Sequence, residues 1–167
     1  IDSVADFINE RFVSVDYTEG PEKKRLSKIY EVYTEPVLLI CDANGKVMHR
    51  MEGKCTAGEM MARLRQGLDV KNNLTAQKLM YDNGNRSSEF LINYLETLHI
   101  AGLRTQRDSV LHNIFSLSFH VDSLKTPKYW NVFLRYNESP VSQEGSYVFK
   151  HREEFYKLFG EQIVNGK

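Results

Sequence analysis

The sequence predicts an α/β segment followed by an all-α domain, and three observations carry that reading. Apolar residues switch between helical and strand-like spacing up to about residue 70 and keep helical spacing after it. Composition shifts near residue 71: the first 71 residues hold 5 of the 19 aromatics and the other 96 hold 14. A proline-led apolar run, an Asn-Gly pair and a second β-rich run between residues 36 and 52 spell one hairpin. The predicted domains are 1–70 and 71–167, joined around Asp69-Val70-Lys71-Asn72-Asn73.

In the first part, Val4, Phe7 and Ile8 fall at helical spacing and predict a helix over 2–10. Phe12 to Tyr17, FVSVDY, reads as a short strand. Gly20-Pro21 opens a second helix, with proline in its first turn and Leu26, Ile29, Tyr30 and Tyr33 on its apolar face. Pro36 starts a strand, Val37 to Cys41, apolar on both faces as a central strand would be. Asn44-Gly45 predicts a two-residue turn, with Ala43 facing Lys46 and Cys41 facing Met48, and Lys46 to Glu52 returns. Thr56 and Glu59 form a capping box that starts a helix with Met60, Met61, Leu64 and Leu68 inward.

The second part reads as helices. Ser87 and Ser88 precede Phe90, Leu91, Tyr94, Leu95 and Leu98, and Gly102 is the stop. Val110, Leu111, Ile114, Phe115 and Leu117 mark the next helix. Thr126-Pro127 is a cap followed by proline at the first helical position, ahead of Tyr129, Trp130, Phe133 and Leu134. Phe155, Tyr156, Leu158 and Phe159 end before Gly160.

Charge and length narrow the function. Lys plus Arg and Asp plus Glu both number 22, so the net charge is zero, against the basic surface a nucleic-acid binder needs. No apolar run approaches the ~18 residues of a membrane span. Two cysteines cannot build a disulfide framework. The chain begins with Ile1, which reads as a trimmed piece of a longer protein. No nucleophile-elbow, phosphate-loop or dinucleotide motif occurs. His49, His99, His112, His120 and His151 show no zinc-ligand spacing, so no metal site is expected, and His49 reads as an exposed side chain on the hairpin. Glu153 and Glu154 lie among Lys150, Arg152 and Lys157, the pattern of solvated ion pairs.

Residues 12–16 (FVSVD), 30–40 (YEVYTEPVLLI), the hairpin DANGK at 42–46 and Glu52-Gly53, in this order, resemble the later three-quarters of a thioredoxin-like domain. The resemblance covers about residues 1–70. The helical extension is similar to those that follow thioredoxin-like domains in secreted or periplasmic proteins of the Bacteroidetes type. The resemblance implies an incomplete thioredoxin-like sheet, with the first strand and the start of the active-site helix missing. The missing strand would lie between 12–17 and 37–41. Its absence predicts unpaired backbone there, filled by another chain (a homo-oligomer through the unpaired sheet among the possibilities), a rearranged pairing or a displaced segment.

The same resemblance implies a thiol–disulfide oxidoreductase or isomerase, active on protein thiols or disulfides, without a cofactor and extracytoplasmic. Its Cys-x-x-Cys would lie upstream of Ile1, since neither Cys41 nor Cys55 has a partner at that spacing. No catalytic residue is therefore expected in this chain. Pro36 would be the family's cis-proline, and the backbone of Glu35 before it would pair with bound peptide. The ordinary reading of Pro36 is a trans proline at the head of a strand. Continuing the hairpin register places Cys55 near Thr34, beside Pro36 and Gly53. Cys41 is then about seven residues off, roughly 23 Å at ~3.3 Å per residue, too far for a disulfide. Glu35, Pro36, Gly53 and Cys55 are thus the candidate substrate-binding residues. Cys41 reads as a small core residue. The competing function is a non-catalytic module that keeps the scaffold for protein contacts.

Overall fold

The computed structural model describes residues 3–115, 121–137, 139 and 141–166. Leu117 and His120 lie outside them. Among the described residues the chain is mostly helical, with one two-stranded antiparallel sheet. It divides into two compact units. One is Ile1–Leu79 with Ile100–Gly102, and the other is Met80–His99 with Leu103–Lys167.

The first unit opens with α1 (Val4–Arg11), started by a capping box in which the Ser3 hydroxyl takes the Asp6 N–H and the Asp6 carboxylate takes the Ser3 N–H. Pro21 sits in the first turn of α2 (Gly20–Ile29). β1 (Val37–Cys41) pairs with β2 (Val47–Glu52), and α3 (Ala57–Leu68) follows. The expected box starts α3: Thr56 Oγ1 accepts the Glu59 N–H, and the Glu59 carboxylate accepts the Thr56 N–H at 2.8 Å. The Thr56 hydroxyl also donates to that carboxylate at 2.9 Å, and the backbone N–H bond first and this hydroxyl bond second favour the ionised acid and hold Glu59 below the usual carboxylate range. Ile40, Met51 and Leu64 form the buried centre, with Val4, Phe7, Ile8, Phe12, Leu38, Met60 and Ile100 packed against it.

Three expectations change in this unit. The run Phe12–Tyr17 forms no strand, and Val13 is 98% exposed. Among the described residues the sheet has only β1 and β2, and neither pairs with 12–17. What holds of the predicted fold class is its coarse form, a mixed α/β chain dominated by helices. β1 is correspondingly an edge strand with only Ile40 buried, and Cys41 at its end is exposed, not a core residue. Leu68 is exposed too, while Gly67 beside it is buried against the hairpin.

The turn also differs. Asp42 N–H bonds to the Lys46 carbonyl at 2.9 Å, and the Asp42 carboxylate takes the N–H groups of Asn44 and Lys46. Ala43-Asn44-Gly45 is therefore a three-residue loop, with Gly45 at φ +78°, a value glycine reaches without Cβ strain. The extra loop residue moves Cys41 opposite Val47. An irregularity between Ile40 and Cys41 absorbs the shift, so Ile40 faces His49 and Val37 faces Glu52, as the two-residue turn would also have given.

The link predicted at 69–73 is a capped turn inside the first unit. Lys71 N–H bonds to Asp69 Oδ1, and Asn73 Oδ1 caps α4 (Leu74–Asp82) by accepting the Ala76 N–H. Thr75 Oγ1 donates to the Val47 carbonyl at 2.9 Å, which ties the start of α4 to the hairpin and carries this unit past residue 70. Helix α4 has no counterpart among the individually predicted elements.

The second unit contains most of α5 (Ser88–Ile100), then α6 (Arg104–Asn113), a short 3-10 turn (Val121–Lys125), α7 (Pro127–Tyr136), α8 (Gln143–Lys150), α9 (Arg152–Phe159) and α10 (Glu161–Asn165). Helix α5 stops at Gly102 and α9 at Gly160, as predicted, both with positive φ. Thr126 stands at the head of α7 but spends its hydroxyl on the Ser123 carbonyl, so it gives no side-chain cap. Trp130 is buried among rings, stacked on Phe159 at 4.8 Å and on Phe133 at 5.2 Å, with Phe155 tilted against it at 5.2 Å. Glu153 and Glu154 behave as the charge pattern suggested: they pair with Arg152 and Lys125 at the surface.

Candidate functional site

The four predicted site residues lie at one end of the hairpin. Pro36 immediately precedes β1, and the Glu35–Pro36 peptide bond is cis. Its carbonyl accepts the Gly53 N–H at 2.9 Å, which closes the hairpin beyond Val37–Glu52. No atom lies within 4 Å of where a side chain on Gly53 would begin, so the backbone there is open to an approaching group. The Glu35 carboxylate is taken by Lys23 Nζ at 2.5 Å, and Lys23 also donates to the Thr18 carbonyl.

Cys55 follows Gly53 by two residues, half-buried, just before the Thr56 cap. Cys41 is at the other end of the hairpin, opposite Val47, and both thiols are free. Partial burial first, and the neighbouring Asp42 carboxylate second, push the Cys41 thiol above its usual range. A raised thiol is a poorer source of thiolate at neutral pH, which is the opposite of what a nucleophilic cysteine requires. The structure thus brings Glu35, Pro36, Gly53 and Cys55 to one edge, and supplies no second cysteine to Cys55.

Two residues in the middle of β2 do more than the sequence suggested. His49 is fully buried, not exposed. Arg50 is 8% exposed and donates from its guanidinium to three carbonyls: Nε to Ala101 at 2.9 Å, Nη1 to Tyr30 at 2.9 Å, and Nη2 to Glu31 at 3.3 Å. Tyr30 ends α2 and Ala101 follows α5, so Arg50 satisfies carbonyls that the helix ends leave over. Glu31, one of these acceptors, sits at φ +51°, in the left-handed region. Glu52 Oε2 stands 3.6 Å from the guanidinium and partly balances it. The signal was present in Met48-His49-Arg50-Met51: in a two-residue period, one of the two polar residues must share a face with the apolar Met51.

The other described histidines are engaged separately: His99 edge-on to Tyr136, His112 at 3.5 Å from Glu144, and His151 Nδ1 at 2.9 Å from the Tyr147 carbonyl. Among the described residues no three His, Cys, Asp or Glu side chains gather into a metal-binding group, and no helix is long and apolar enough to cross a membrane. No family model, no curated protein and no solved structure matches this chain.

Proposed function

We propose that this chain is the substrate-facing later part of a thioredoxin-like thiol–disulfide oxidoreductase or isomerase working outside the cytoplasm, with its reactive cysteines upstream of Ile1. One observation carries the reading: Pro36 heads β1 with its carbonyl on the Gly53 N–H, so Glu35 and Cys55 flank the same hairpin end. The unpaired β-rich run at 12–17 supports it, because a sheet lacking a neighbouring strand leaves such a segment exposed. In this reading an extended peptide runs along the Glu35 backbone, past the open face of Gly53, towards cysteines contributed from upstream. Those two thiols would reduce the peptide's disulfide and themselves become a disulfide. Cys41 and Cys55 take no part as a pair.

The test is a dithiothreitol-driven insulin-reduction assay on two proteins: the 167-residue chain and the chain extended by the roughly 30 residues encoded before it. Turnover only in the extended protein, lost on replacing either upstream cysteine with serine, supports the reading. Absence of a cysteine pair upstream, or turnover by the shorter chain, refutes it. A second reading, a non-catalytic protein-binding module, draws on the exposed Val13, Val15 and Tyr33 and on the raised Cys41 thiol. It predicts no reductase activity in either protein.

A further inference from the structure

The buried ring of His49 has a directional arrangement that the proposed function does not use. Its Nδ1 accepts the backbone N–H of Leu74, the first residue of α4, at 3.1 Å. Nδ1 therefore carries no proton, and the neutral ring's proton sits on Nε2, which is buried without a hydrogen-bond partner. Gly67 of α3 presses on the ring: a methyl there would meet His49 at 3.3 Å and Ile40 Cδ1 at 2.2 Å. Beside it, Thr75 Oγ1 holds the Val47 carbonyl. Two neighbouring hydrogen bonds thus dock the first turn of α4 on β2, and one depends on an unprotonated imidazole nitrogen.

We propose that His49 is a pH-sensitive latch: protonation of Nδ1 releases the start of α4 from the hairpin. A second proton on the ring has only Nδ1 to occupy, and the Leu74 N–H points at that atom. The two N–H groups cannot share it, so the bond breaks. The new cation would also face the positive end of the α4 dipole. The groups seen against the ring offer no countercharge. Ile40 of β1, Gly67 of α3 and the Leu74 amide of α4 face the ring, and none is charged. Arg50, the charged neighbour on β2, points to the other face of the strand, onto Ala101, Tyr30 and Glu31. No described residue makes an ion pair with His49.

The sign follows from burial. Removal from water lowers the His49 pKa from 6.5 to about 4 in the latched form. Once released, the ring titrates near the ordinary 6.5. Between those values the released form holds a proton that the latched form lacks, so each unit of acidification raises the released fraction about tenfold. Above pH 6.5 the latch is insensitive to pH. The chain first passes from one unit to the other within helix α4, so the freed segment lies at the start of that helix.

Amide hydrogen exchange on the full chain between pH 7 and 5, corrected for intrinsic rates, tests this. The expected result is that protection of the Leu74 amide falls about tenfold between pH 6 and 5, while that of Leu64 in α3 stays constant. A Leu74 protection that does not change with pH, or that falls in step with Leu64, overturns the latch. His49→Asn, whose amide oxygen can still accept the Leu74 N–H but does not titrate, should abolish the slope; a slope that persists also overturns it. If that variant does not fold, the wild-type comparison of Leu74 with Leu64 decides alone.

Discussion

The hairpin unit and the aromatic helices stabilise themselves with different materials. Around the hairpin the buried apolar set is small, Ile40, Met51 and Leu64 at its centre, and two of the three consecutive buried residues on β2 are His49 and Arg50. Around Trp130 the burial is apolar and aromatic, with Phe133, Phe155 and Phe159 against one indole. A small sheet with one pair of strands cannot exclude water by area alone. It fixes its neighbours with directional bonds: Arg50 on three carbonyls, His49 on the α4 amide, Thr75 on Val47. The second unit has directional bonds too, from Arg135 and Tyr136 to Glu96, but around Trp130 stacked rings bury large surfaces wherever they meet. The comparison teaches that a two-stranded hairpin fixes its neighbours through buried polar bonds, whereas the cluster at Trp130 is filled by aromatic volume.

Three substitutions sharpen that contrast. The largest effect belongs to Phe155→Ala, which empties a fully buried position against Trp130 and should cost about 3–5 kcal/mol. Urea unfolding followed by the fluorescence of Trp130, the sole tryptophan, measures it. A loss under about 1 kcal/mol would mean the rings repack, and aromatic volume would not be the stabilising term.

Next comes Arg50→Ala, which leaves the carbonyls of Tyr30, Glu31 and Ala101 without their donor and should destabilise the first unit by about 3 kcal/mol. Arg50→Lys keeps the charge but loses the fork, and should recover less than half. Exchange protection of the Met51 amide reports both. Full recovery by lysine would show that charge, not bond direction, matters there.

The smallest is Thr56→Ala, which removes one half of the α3 capping box for about 1 kcal/mol. Carboxyl chemical shifts should show Glu59 titrating closer to its ordinary value in this variant, since the two bonds to Thr56 are what lower it. An unmoved Glu59 would assign its shift to the Thr56 backbone N–H, which alanine keeps, rather than to the hydroxyl.

Elements with local causes were legible in the chain. The Thr56-x-x-Glu59 box, Pro21 and Pro127 at helix starts, and Gly102 and Gly160 as stops all act through residues within one turn. So does the turn chemistry of Asp42-Ala43-Asn44-Gly45, although its loop is one residue longer than Asn-Gly alone implies. The sequence could place Glu35, Pro36, Gly53 and Cys55 together because an antiparallel register, once set, carries to the hairpin's end.

What tertiary structure alone decided is what those elements lean on. Phe12–Tyr17 has strand propensity, yet a strand exists only where another strand supplies its hydrogen bonds, and among the described residues none pairs with it. His49 and Arg50 look like surface residues until the ends of α2 and α5 and the start of α4 bring them carbonyls and an amide from 19 to 51 residues away. Short-range sterics and capping are written in neighbouring letters. Burial of a polar group depends on partners that only the folded chain assembles.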